Sequence, residues 1–168
     1  MSDRPAYSVN SVTRFTDPAA VEAWDAWFRW REGDELRDVT IDATWWRVAR
    51  TLAGVEGALS SLWAHRYVEA FGRWRLLPDE RLLRHAGTPT GVSKLDTPAA
   101  VLNVPAFVLG ARTPDARFDQ SAFVETAAMA VRLLDDALQV GKCASPAGLR
   151  IGVVGLADAF SLLGIEYT

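Results

Sequence analysis

Apolar side chains recur every three or four residues through most of this chain, the spacing of helices with one buried face. Asp17-Pro18 is a start signal: a capping Asp, then a Pro in the first turn, where its missing N–H costs nothing. Val21, Trp24, Trp27, Phe28 and Arg31 follow at helical spacing and Gly33 supplies a stop, which predicts a covering helix over residues 17–31. Asp42 caps a predicted second helix with the stripe Trp45, Val48, Ala49, Leu52 and Val55. The third has the clearest period: Leu59, Leu62, Trp63, Tyr67, Ala70, Phe71 and Trp74 share one face, and Pro78 marks its end.

Residues 76–98 carry turn chemistry in Leu77-Pro78-Asp79, in Ala86-Gly87-Thr88-Pro89-Thr90-Gly91 and in Thr97-Pro98, with room for a short helical piece from Asp79 to Arg84. Residues 99–109 are apolar but broken by Pro105, and periodicity leaves them unassigned. Asp119 or Ser121 begins a fourth long helix with Phe123, Ala127, Val131, Leu134 and Leu138 inward and Gly141 as its stop. Ser145-Pro146 opens a last element that closes at Leu162-Leu163-Gly164. No stretch alternates strongly enough to predict a strand. The expected fold class is mainly α, a single-domain helical bundle of about five to six helices. It spans residues 17–168, with an N-terminal extension at 1–16 and a loop-rich connection at about 76–98.

Composition narrows the function classes. Hydrophobic residues at 49% and charged residues at 23% are globular values, not those of a disordered chain. Lys plus Arg is 18 against 21 Asp plus Glu, so the net charge is −3 and gives no general attraction to nucleic acid or an anionic membrane. No apolar run approaches the ~20 residues of a membrane span. Residues 1–15 lack the apolar core of a secretion signal, so a cytoplasmic location is expected. The single cysteine, Cys143, excludes a disulfide framework or a multi-thiolate zinc site within this sequence.

Each chemical feature has a structural reading beside its functional one. All seven Trp lie between 24 and 74. They suit a stacking platform, but helical spacing favours core packing, with Trp24, Trp30 and Trp46 the interface candidates. Cys143 beside Lys142 is a reactive thiol or an incidental loop residue. Gly148, Gly152 and Gly155 match neither the dinucleotide fingerprint nor the P-loop and favour close packing or a tight turn into the last helix. His65 and His85 have no metal-ligand spacing. Asp135-Asp136 point apart on a helix, and Arg132 with Asp136 makes an i,i+4 pair. Arg73, Arg75, Arg81 and Arg84 form a basic patch, either a solvated face or a seat for a nucleotide phosphate.

Several stretches, in order, resemble the large subunit of ribonucleotide reductase, the adenosylcobalamin-dependent type most of all. They are Arg150-Ile151-Gly152-Val153-Val154-Gly155-Leu156-Ala157-Asp158 with Leu163-Gly164-Ile165-Glu166-Tyr167, then Ala130-Val131-Arg132-Leu133-Leu134-Asp135-Asp136, Leu102-Asn103-Val104, and Leu77-Pro78 through Ala86-Gly87-Thr88-Pro89. Trp46-Arg47-Val48-Ala49 through Glu56 resembles that family's N-terminal helical region. The resemblance implies a shortened relative that keeps the helical parts and lacks the strands of the radical-bearing barrel.

The departures bear on chemistry. That family's reaction uses three thiols, and this sequence has one. Ser93 survives after the Ala-Gly-Thr stretch, but Lys94 and Leu95 stand where a redox cysteine is expected, and Glu80 and Arg81 stand where the phosphate seat is expected. The expectation is a non-catalytic reductase-like protein, a protein-interaction or self-association module. Its partner would be a second copy or another protein, a full-length reductase among them. The alternative is an accessory component binding nucleotide through Arg73, Arg75, Arg81, Arg84 and Ser93, with adenosylcobalamin implied only by the resemblance and otherwise no cofactor or metal.

Overall fold

The computed structural model describes residues 17–93 and 95–166, so the expected extension at 1–16 lies outside the described residues. Helix starts follow the capping chemistry. The Asp17 carboxylate accepts from the Ala19 N–H and opens α1 (Pro18–Trp27). This helix ends before residue 31 because Gly33, at φ +59°, turns a small hairpin in which β1 (Arg31–Glu32) pairs antiparallel with β2 (Glu35–Leu36). Thr40, rather than Asp42, caps α2 (Ile41–Ala53). A 3-10 segment (Gly54–Leu59) leads into α3 (Ser60–Gly72) and then β3 (Leu76–Pro78). Asp79 caps the short α4 (Glu80–His85).

Residues 99–109 resolve into β4 (Ala99–Asn103), a 3-10 turn (Val104–Phe107) and β5 (Val108–Leu109), which pairs with β6 (Arg117–Phe118). Asp119 caps α5 (Gln120–Val140) and Gly141 follows it. The last predicted element is two: β7 (Arg150–Val154) and α6 (Leu156–Leu163).

The all-helical bundle is therefore corrected to a mixed fold. Among the described residues six α-helices accompany three small sheets, the largest in the order β3-β4-β7. Its pairing is antiparallel between β3 and β4 and parallel between β4 and β7, with Val101 beside both Leu77 and Gly152. The strands of the main sheet escaped prediction because they are three to five residues long and mostly apolar, and the paired strands of the other two sheets are only two residues each. A short apolar run has no alternation to detect.

One core joins these layers. Trp45, Val48 and Leu52 of α2, Tyr67 and Phe71 of α3, and Leu133 and Leu134 of α5 bury with Ala100 and Leu102 of β4. Each large side chain so buried contributes roughly 1.5–3 kcal/mol. The Trp45 ring lies 5.6 Å from Phe71 and meets Trp74 edge-on at 5.7 Å. The inner face of α5 is also corrected. Ala130, Leu133, Leu134 and Ala137 are buried, whereas the predicted Val131 is 48% exposed. The helix is turned by about one residue, roughly 100°, from the predicted stripe.

A buried ion pair ties the first half together. Arg47 of α2 reaches Asp38 at 2.8 Å. It also donates to the carbonyls of Phe28, Leu83 and Ala86, so one guanidinium closes the end of α4 against α2. The Trp24 indole donates to Thr44, whose hydroxyl donates to the same Asp38 carboxylate at 2.8 Å.

Candidate functional site

The outer strand of the main sheet, β7, is exposed at all five residues. The Arg150 N–H donates to the Pro98 carbonyl at 3.0 Å. Main-chain groups alternate in direction along a strand, so Arg150, Gly152 and Val154 turn theirs toward β4. Ile151 and Val153 turn theirs the other way, where no strand pairs with them among the described residues.

The side chains of these two residues are equally unmatched. Ile151 is in register with Ala100, and Val153 with Leu102. Cross-strand neighbours share a face, and Ala100 and Leu102 are almost wholly buried. Ile151 and Val153 thus project on the core side of the sheet, yet they are 40% and 54% exposed. The covering helices stop one strand short. Next to this edge a cleft of about 510 Å³ is lined by Val131, Arg132 and Asp136 of α5 together with Glu56 and Leu149, the residue just before β7.

Beyond β7 the backbone turns at Gly155, φ +72°, into α6. A side chain at Gly155 would come within 2.6 Å of the Pro105 ring. The Arg112 N–H donates to the Leu162 carbonyl from the opposite end of α6. These contacts fix α6 against the 3-10 turn after β4 and leave Leu156 and Ile165 exposed.

The polar end of the cleft is a built cluster. The Tyr67 hydroxyl donates to Asp136 at 2.6 Å, and both residues are buried. Arg132 does not pair with Asp136 as expected. It reaches Glu56 at 2.6 Å and lies 4.3 Å above the Trp63 ring. The Trp63 indole N–H is buried with no hydrogen-bond partner among the described residues. Burial pushes the Asp136 carboxyl up to about 7, the neighbouring Glu56 adds to that rise, and the Tyr67 hydrogen bond opposes it. Burial and the adjoining Asp136 raise the Tyr67 phenol well above its usual range. The Arg132 guanidinium is raised by its hydrogen bond to Glu56.

The proposed nucleotide residues do not converge. Arg73 and Arg75 line a cleft of about 170 Å³ between α3 and α5, and Arg73 is paired with Glu69 at 3.0 Å. Arg84 lines a different cleft beside Trp27, whose carbonyl it reaches at 3.1 Å, and is paired with Glu80. Arg81 is paired with Asp79, and Ser93 is exposed in the segment before Leu95. Of the interface candidates Trp24 is core, at 4% exposure, and Trp30 and Trp46 are half-buried, whereas Trp27, predicted on the helical stripe, is 58% exposed. His65 packs edge-on against Trp46 at 4.8 Å, and Cys143 is half-buried just past α5.

A further cleft of about 570 Å³, almost wholly apolar, lies among Trp24, Trp45, Trp74, Ile41 and Leu77. It holds no titratable group, and Trp24 and Trp74 have additional partners. Among the described residues no group of three His, Cys, Asp or Glu is placed to hold a metal. No helix there is long and apolar enough to cross a membrane. Comparison with family models, with curated proteins and with solved structures finds no match for this chain.

Sequence reasoning singled out Arg132 and Asp136 but missed the partnership of Tyr67 with Asp136. A signal existed. Tyr67 sits on the predicted apolar stripe, and a buried phenol needs a hydrogen-bond partner. Asp136 stands three residues after Leu133, at inward spacing.

Proposed function

We propose that this chain is a protein-interaction module whose β7 edge accepts a strand from another polypeptide. The observation that carries this is the placement of Ile151 and Val153 in a core-facing register while they stay 40% and 54% exposed among the described residues. An open strand offers main-chain donors and acceptors in a row, and proteins that do not use such an edge blunt it with charge, proline or a covering loop. Here the outward positions are β-branched and uncharged. An added strand would complete the ladder at Ile151 and Val153 and bring its own alternate side chains over Val131 and Leu149.

The reading keeps the expectation of a non-catalytic, cytoplasmic, reductase-like protein. A lone thiol outside the cleft supports binding rather than radical reduction. The nucleotide- or cobalamin-binding alternative has less support, since Arg73 and Arg75 line one cleft and Arg84 another, and Arg73, Arg81 and Arg84 are paired with carboxylates.

The test is the size of the protein in lysate, compared between the wild type and an Ile151→Lys/Val153→Lys variant shown by circular dichroism to be folded. The wild type is expected to run well above its 18.4 kDa and the variant as a monomer. Equal sizes overturn the proposal.

A further inference from the structure

We infer that the strand taken by β7 is β7 of a second copy, running antiparallel about a two-fold axis at Gly152. This rests on the strand-addition reading above and narrows it to one occupant.

The backbone sets the register. Ile151 and Val153 present their main-chain groups outward and Gly152 does not. With the axis at Gly152, Ile151 of each copy stands opposite Val153 of the other. Each such pair exchanges two hydrogen bonds, and the glycines form the intervening non-hydrogen-bonded pair, about 4.5 Å apart at Cα. That is the close crossing, and a glycine with open space around its missing side chain occupies it. Across the joint β-branched residues meet, a favourable cross-strand pairing.

Charge agrees. Arg150 falls opposite Val154, so the two arginines lie four residues apart, roughly 14 Å along the strands. That exceeds the screening distance of about 8–10 Å, and no like charges face each other.

Area agrees as well. Val131, Leu149, Ile151, Val153, Leu156 and Ile165 are all at least one-third exposed. Summed, their exposed side chains amount to on the order of several hundred Å² of apolar surface on and near the β7 edge. Leu149, Ile151 and Val153 lie along the joint itself, so pairing covers them on both copies together with the main-chain ladder.

The assembly closes at two. Joining two sheets through β7 leaves β3 as both outer edges. β3 has three residues and ends in Pro78, a blunt edge that cannot template another strand. The product is a continuous six-stranded sheet in a closed dimer, not a fibre.

The test uses purified full-length protein. Sedimentation across a concentration series is expected to show a dimer for the wild type and a monomer for the folded Ile151→Lys/Val153→Lys variant. In a Cys143→Ser background, Gly152→Cys is expected to form an intermolecular disulfide on mild oxidation. Val154→Cys, whose counterpart lies far beyond disulfide reach, is expected to do so at least about tenfold more slowly. Hydrogen exchange on the wild type gives a reading independent of any variant: the Ile151 and Val153 amides become protected as concentration rises. A purified monomer at every concentration overturns the inference, and so does faster crosslinking at 154 than at 152. If that monomer still runs large in lysate and the lysine variant does not, strand addition stands and its partner is another protein.

Discussion

The Tyr67 hydroxyl and the Asp136 carboxylate, 69 positions apart, meet at 2.6 Å and stitch α3 to α5 through the core. Burial disfavours the charged form of Asp136, and Glu56 beside it disfavours it further. A carboxyl held above its ordinary value of 3.8 stabilises the fold while it is protonated. Its contribution is full below about pH 4, declines as pH rises, and is gone once pH passes the folded value of about 7. Asp136→Asn keeps an acceptor for the phenol and removes the titration. Thermal unfolding from pH 5 to pH 8 is expected to show the variant gaining on the wild type as pH rises. A constant difference between the two contradicts this. Tyr67→Phe, which strips a buried carboxyl of its donor, should cost about 1–3 kcal/mol.

Arg47→Leu is expected to be among the most damaging single changes outside the apolar core. It leaves Asp38 buried without a counter-charge and frees three carbonyls on two segments. Breaking one side of a buried pair costs about 3–5 kcal/mol. Urea denaturation measures this directly. A loss within the small range of an exposed ion pair would show that the pair is not buried in solution.

Two glycines of one motif should behave in opposite ways. Gly155→Ala meets both a left-handed backbone and the Pro105 ring, and should cost about 1–3 kcal/mol or more. Gly152→Ala meets open space and should stay within about 0.5 kcal/mol of the wild type. Denaturation midpoints of the two variants, compared side by side, check the contrast.

Nucleoside triphosphates are expected to leave the melting temperature unchanged. A specific ligand at a hundred times its dissociation constant would add about 2.7 kcal/mol. For a chain of this size that is a rise of roughly 5–10 °C. Such a rise, lost on Arg73→Ala or Arg84→Ala, would favour the nucleotide reading instead.

The legible parts of the fold were those with local chemistry. Asp17-Pro18, Asp79 and Asp119 announced helix starts, and the Tyr67–Phe71 stripe announced a buried face, because capping and 3.6-residue periodicity are written in neighbouring residues. The sheet was not legible. β4 and β7 are five-residue apolar runs whose identity as strands depends on each other, some fifty positions apart. The candidate site was hidden for the same reason. Ile151 and Val153 carried no periodic signal of their own, and only the register with Ala100 and Leu102 shows that they face the core side while staying exposed among the described residues. Val131 was placed inside because its heptad neighbours are apolar, and the true orientation of α5 is set by contacts with α2 and β4.

The parallel pairing of β4 with β7 also orders events during synthesis. The two strands are separated in the chain by α5, so the outer strand docks only after that helix has emerged and β4 is in place. Long-range parallel pairing of this kind is slow, because a large loop must close first. Until β7 docks, the free edge of the sheet is β4, so the growing chain carries an open apolar border while its interior is still forming, and the docking of β7 replaces one edge with another.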